Sequence, residues 1–211
     1  MPALMDKAPQ KHAPAPAVKA ERRSARERLL AAAEELFYEE GINTVGIDRV
    51  IERAGVAKAS LYDTFGSKDE LIRAYLVGRK EARQTRILRR LENCKTPRNR
   101  LLGVFDALAD ICADPAFRGC AFLRTSAEAR PGSSLRIVCD DSRRWTYELF
   151  VELGRDAGAA KPEQLAHQLV VLYDGAVVAA QMDHDPAAAV LARSMAAQLL
   201  DVAIGRKSRK R

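Results

Sequence analysis

The side chains best suited to specific chemistry lie in one stretch, residues 41–71, which reads GINTVGIDRVIERAGVAKASLYDTFGSKDEL. It sets small polar groups and isolated cations among apolar residues: Lys58, Ser60, Tyr62, Thr64 and Lys68. Such a set suits hydrogen bonds to base edges and phosphates rather than bond breaking. Elsewhere, spacing recommends no Ser-His-Asp set, no phosphate-cradling glycine loop and no paired carboxylates, so no catalytic residues are expected. Cys94, Cys112, Cys120 and Cys139 form no CxxC pair, and no histidine stands at metal-ligand spacing. Neither a metal, a cofactor nor a disulfide framework is expected. Asp183, His184 and Asp185 fall at an expected turn, where a solvated role is the ordinary one.

The elements that must hold these groups follow from apolar spacing. Hydrophobic residues make up 47% of the chain but aromatics only 6%, and period-two β-branched runs are hard to find, so the expected class is all-α. Ser24 with Glu27 forms a capping box, after which Leu29, Leu30, Ala33, Leu36 and Phe37 recur at helical spacing up to Gly41. Residues 47–54 and 57–64 read as two short helices separated only by Gly55 and Val56, which leaves room for nothing but a tight turn. Ile47, Val50, Ile51, Val56, Leu61 and Phe65 are placed to lock these two helices together. The outer face of the second is then small and polar, able to enter a major groove about 12 Å wide. Ser67 with Glu70 opens a long helix that carries Leu71, Ile72, Tyr75, Leu76, Ile87 and Leu91 on one side and ends near Cys94. Proline, glycine and aspartate breaks divide the remainder into helical segments at about 98–112, 116–129, 134–157, 162–182 and 186–203. That makes nine helices.

The net charge is +7, distributed as +3 over residues 1–24, +1 over 25–93, −2 over 94–205 and +5 over 206–211. The basic excess therefore sits at the ends, and the helical centre nearly cancels. No apolar run approaches the roughly 18 to 20 residues of a membrane span, and no signal-like stretch opens the chain, so a cytoplasmic protein with no membrane role is expected.

The 41–71 stretch resembles the TetR family of bacterial regulators, whose pattern has an Ala-Gly-Val turn, a Leu-Tyr pair, a Phe three residues on and a Ser-Lys opening the next helix. Here these are Ala54-Gly55-Val56, Leu61-Tyr62, Phe65 and Ser67-Lys68. Pro2, Pro9, Pro14 and Pro16 among Ala and Lys point by composition to a disordered basic arm at 1–22, and the resemblance implies a helix-turn-helix DNA-binding domain at 23–70, with its motif at about 46–65. A helical ligand-binding and dimerisation domain at 71–205 and a basic tail at 206–211 complete it. Carried over by position, it puts Lys58, Ala59 and Ser60 at base-facing and groove-wall positions. Tyr62, Thr64 and Lys68 then meet phosphates, together with backbone N–H groups at Gly46. The chain departs from common family usage, with Val45 and Gly46 in place of Ser or Thr, Ala57 in place of Ser, Ala59 in place of Gly and Thr64 in place of His. The departures at Val45, Gly46 and Ala57 remove hydroxyls, and Asp63 adds a negative charge near the DNA side.

The resemblance further implies a homodimer on a palindromic operator in double-stranded DNA, acting as a repressor that an unidentified small-molecule ligand releases. The alternative is a regulator of the same fold that needs no ligand or responds to cysteine oxidation. Small residues on the last two helices, Gly175, Ala176, Ala179, Ala180, Ala188, Ala192 and Ala196, point to close helix packing in a four-helix seam between two copies. Candidate pocket residues are Phe105, Phe122, Cys139, Trp145, Phe150 and Tyr173.

Overall fold

A computed structural model describes residues 23–205, so the expected arm (1–22) and tail (206–211) lie outside the described residues. Among the described residues there are nine α-helices and no strand. They are α1 (Ala25–Glu40), α2 (Ile47–Ala54), α3 (Lys58–Phe65), α4 (Lys68–Glu92), α5 (Pro97–Cys112), α6 (Ala121–Glu128), α7 (Ser134–Asp156), α8 (Pro162–Met182) and α9 (Ala187–Ala203).

Local chemistry sets the boundaries. At α1 the Ser24 hydroxyl accepts the Glu27 N–H at 3.2 Å while the Glu27 carboxylate accepts the Ser24 N–H at 2.7 Å, the capping box read from sequence. Gly55 ends α2 in the left-handed region at φ 62°, ψ 43°, where an L side chain would be strained, and so turns the chain sharply into α3. α6 departs from expectation by starting at Ala121 rather than near residue 116. Gly119 explains this: its φ is +84°, and a Cβ there would lie 1.9 Å from the Gln181 side chain. The chain therefore runs as a loop pressed against α8 before the helix begins.

Two hydrophobic clusters form, and they do not divide the chain at one point. The first joins α1, α2, α3 and the start of α4, through Leu71, Ile72, Tyr75 and Leu76, to Ala121 and Phe122 of α6 and Leu135, Val138 and Cys139 of α7. The second joins Ile87 and Leu91 of α4 to α5, the later turns of α7, α8 and α9. α4 belongs to both, so a tilt of this one helix is felt by each.

α8 is long and apolar enough to cross a membrane by length and composition, contrary to the sequence expectation. In the fold it packs against α5, α7 and α9, burying Leu165, Leu169, Val170, Tyr173 and Val177. The small residues also act differently from expectation. Ala176, Ala180, Ala189, Ala192 and Ala196 are buried within the chain, where the absence of bulk brings α8, α9 and α5 together. The outer face of α8 and α9 instead exposes Val171, Gly175, Leu191, Met195 and Val202.

Candidate DNA interface and ligand cavity

Val50 and Leu61 are fully buried at the α2–α3 crossing, with Ile47, Ile51, Val56 and Phe65 packed half-buried around them. This lock fixes which side of α3 faces outward. Lys58, Ala59, Tyr62, Asp63 and Thr64 are exposed there, and Ser60 is half-buried. Tyr62 leaves 46% of its surface in solvent, a large exposed area for an aromatic ring. Lys68 is the first residue of α4 and is half-buried.

The two motif helices share one local property. α1, α4, α5 and α7 are capped by Ser or Thr hydroxyls, but Gly46 before α2 and Ala57 before α3 supply no side-chain cap, and neither do Lys161 before α8 and Pro186 before α9. The departures noted in sequence thus leave first-turn N–H groups of both helices without a capping acceptor, and such groups suit a phosphate oxygen.

Three contacts qualify the sequence candidates. The Lys58 ammonium pairs with the Asp48 carboxylate at 2.8 Å across the motif, both side chains being well exposed. That hydrogen bond raises the Lys58 pKa, so the ammonium stays charged. The Thr64 hydroxyl donates to the Ser60 carbonyl at 2.6 Å, which engages its hydrogen within α3. The cations of α2 are held toward α1: Arg49 on Glu40, and Arg53 on Glu35 at 2.6 Å. Sequence reasoning missed Asp48 and also Arg26, whose exposed guanidinium lies 5.8 Å from the Phe65 ring centre at the end of α3. Both depend on the helix crossing, which no local pattern encodes.

The second feature is a cavity of about 330 Å³ between the motif-bearing end and the bundle. α1 contributes Glu34 and Tyr38, while α4 contributes Arg79, Arg83 and Arg86. The apolar wall is built by Leu108 and Ile111 of α5, Phe117 and Phe122 around the start of α6, and Val177 of α8. Of the six candidate pocket residues, Phe122 and Tyr173 line this cavity. Phe105 and Phe150 do not, because their rings, 5.6 Å apart, fill the bundle core together. Cys139 is buried in the other cluster, and burial pushes its thiol up to about 11. Trp145 stands behind the wall, its ring centre 5.8 Å from the Arg83 guanidinium. The cavity arginines could not be picked out in sequence because a cation on α4 reads as solvated surface until the facing helices are known.

Polar contacts tie this wall to the motif-bearing end. The Tyr38 hydroxyl accepts the Arg118 N–H at 2.9 Å and donates to the Gly119 carbonyl at 3.3 Å. Arg124 donates to the Tyr38 carbonyl at 2.9 Å. Arg79 pairs with Glu34 and stacks on Tyr38, its guanidinium carbon 3.6 Å from the ring centre. The cysteines differ: Cys112 is buried with its thiol raised to about 11 by desolvation, whereas Cys120 lines the cavity and its sulfur accepts the Leu123 N–H at 3.4 Å. Among the described residues no group of three His, Cys, Asp or Glu side chains is arranged to hold a metal.

Residues 29–75 match the family described as "Bacterial regulatory proteins, tetR family". The structure is similar to that of a TetR-family transcriptional regulator from Streptomyces coelicolor, with a TM-score of 0.81 and 31% identity over 85% of this chain and 96% of that one. The transcriptional repressor NemR of Escherichia coli is 29% identical over 167 residues, 74% of this chain and 84% of NemR. The transcriptional activator FasR of Mycolicibacterium smegmatis is 35% identical over 85 residues, spanning only 39% of FasR. With its helix-turn-helix geometry and a fold shared across nearly the whole of a relative, the chain belongs to the TetR family of DNA-binding transcriptional regulators.

Proposed function

We propose that this protein is a homodimeric cytoplasmic repressor that binds a palindromic operator and leaves it when a small molecule enters the cavity beside α4. The observation that carries this reading is the position of the cavity: its walls include α1 of the DNA-reading end, the helix that links that end to the bundle, and the bundle itself. A ligand that alters the tilt of α4 would alter the placement of α2 and α3, since α4 packs in both clusters. The repressor sign is favoured because NemR, named a repressor, matches over most of its length, whereas the activator FasR matches over a minor part.

In this reading Lys58, Ala59 and Ser60 approach base edges, and Tyr62, Lys68 and the uncapped N–H groups after Gly46 hold phosphates. Thr64 contributes little as a donor, given its bond to Ser60. Homodimerisation uses the exposed apolar face of α8 and α9, where Val171, Leu191 and Met195 would be covered by the same face of a second copy. Two reading heads related by a two-fold axis then match an inverted repeat. Fluorescence anisotropy with an operator selected from random DNA tests the reading. A bound inverted repeat, released by a ligand that binds the free protein, is the expected result; binding only to unrelated sequences alike would overturn it.

A second reading, with a thiol as the trigger, is favoured by Cys120, which lines the cavity and caps α6. If it holds, Cys120→Ser keeps operator binding and loses release by oxidant, while a pure ligand-binding regulator behaves as wild type.

A further inference from the structure

We propose that the ligand of this cavity is an organic anion, a carboxylate or other oxyanion on an apolar body about the size of two aromatic rings. This inference rests on the ligand-responsive reading above. The cavity presents three guanidiniums, Arg79, Arg83 and Arg86, at four- and three-residue spacing on one side of α4, against a single carboxylate, Glu34. Glu34 is taken by Arg79. Arg83 and Arg86 form no ion pair among the described residues. The half-buried Arg83 meets only neutral acceptors: its Nη2 donates to the Ser142 carbonyl at 3.0 Å, the Ser142 hydroxyl at 2.9 Å and the Thr146 hydroxyl at 3.1 Å. Its Nε is buried with no acceptor among the described residues. A guanidinium held partly out of water without a counter-charge favours an arriving oxyanion, which its planar fork can bind through two hydrogen bonds. The start of α6 adds to this preference, since Ala121 and Phe122 line the cavity and open a helix whose first N–H groups lack intrahelical partners.

The other half of the cavity selects the body. Leu108, Ile111, Phe117 and Val177 offer no hydrogen bond, and the Phe122 ring lies 5.3 Å from the Arg83 guanidinium carbon, where charged and apolar walls meet. Tyr173 is 4% exposed, yet it lines the space and its hydroxyl has no partner among the described residues, so it can donate to a second oxygen of the ligand. A cavity of about 150 Å³ holds one benzene ring; at about 330 Å³ this one has room for a second ring or a medium-length chain.

The test uses the full chain and its single tryptophan, Trp145, whose fluorescence reports events at Arg83. Phenylbutyrate, naphthoate and octanoate are titrated beside their primary amides and phosphonates, with wild type, Arg86→Gln and Arg83→Lys. Arg86 is exposed and forms no ion pair or side-chain hydrogen bond among the described residues, so its variant keeps the test valid should Arg83→Lys fail to fold. The expected result is acid binding about tenfold or more tighter than amide binding, and an Arg86→Gln loss of about tenfold for the acid alone. Tighter phosphonate than carboxylate binding assigns the site to dianions such as phosphate esters, and the reverse order assigns it to carboxylic acids. Equal acid and amide affinities, no binding by any acid, or acid affinity indifferent to Arg86 would overturn the proposal. Operator titrations run alongside separate the two claims. Amides that bind and release DNA leave the ligand-responsive reading standing without the anion, while acids that bind through Arg86 and leave DNA affinity unchanged do the opposite.

Discussion

At the scale of single residues, the proposed reading surface relies on a few placed groups rather than on a field of positive charge. Lys58 shows why this matters, because its ammonium is shared with Asp48 across the motif. Asp48→Asn removes a carboxylate from the DNA side and frees Lys58; gel-shift titration is expected to show tighter binding to all sequences and weaker discrimination among operator variants. Thiol chemistry is selective too. Cys112 and Cys139, raised to about 11 by burial, hold almost no thiolate at neutral pH. Maleimide labelling of the native protein followed by peptide mass mapping is expected to find Cys94 and Cys120 modified and Cys112 and Cys139 protected until denaturant is added. The turn and the packing lock of the motif were legible in sequence because both lie within one short stretch. The cavity arginines were not, since their role depends on Glu34, Phe122 and Ser142, brought to α4 from distant parts of the chain.

Among the elements, the helices whose ends carry local signals were the ones read closely. Ser24 with Glu27 and Ser67 with Glu70 each start a helix where their chemistry says. α6 escaped because its delayed start is imposed by the contact of Gly119 with Gln181 on α8, a tertiary constraint with no local trace. The small residues of α8 and α9 were recognised as close-packing positions, and Ala176 and Ala192 pack within their own chain while Gly175 stays exposed on the outer face. The uncapped start of α3 gives a test at this scale. Ala57 has the extended backbone of an N-cap, φ −71° and ψ 150°. Ala57→Ser therefore supplies the missing acceptor and is expected to stabilise the protein by about 1 kcal/mol, a rise of about 2–4 °C in Tm by differential scanning calorimetry. A lower Tm would show that no hydroxyl can reach the α3 N–H groups.

For the whole molecule, the proposed function requires a coupling between cavity and DNA, for which α4 and the bonds that Tyr38 makes to residues 118 and 119 are the available connections. Tyr38→Phe removes both bonds while keeping the ring under Arg79. The expected outcome is operator affinity near wild type with a smaller loss on adding ligand, and by linkage an equally smaller effect of operator on ligand affinity. In the proposed dimer the two copies meet on the exposed α8–α9 face. Leu191→Asp, a charge in the middle of that face, is expected to yield monomers by light scattering and to abolish tight operator binding, since each head alone reads half a site.

The central claim is that α2, α3 and the start of α4 form the DNA-reading surface. It is tested most directly by fluorescence anisotropy of wild type, Tyr62→Ala and Lys68→Ala on a selected operator and on unrelated DNA across a range of salt. Each variant is expected to bind both DNAs about tenfold more weakly, and Lys68→Ala to flatten the salt dependence by about one unit of slope for each phosphate left unneutralised. Unchanged affinity and salt slope in both variants would contradict it.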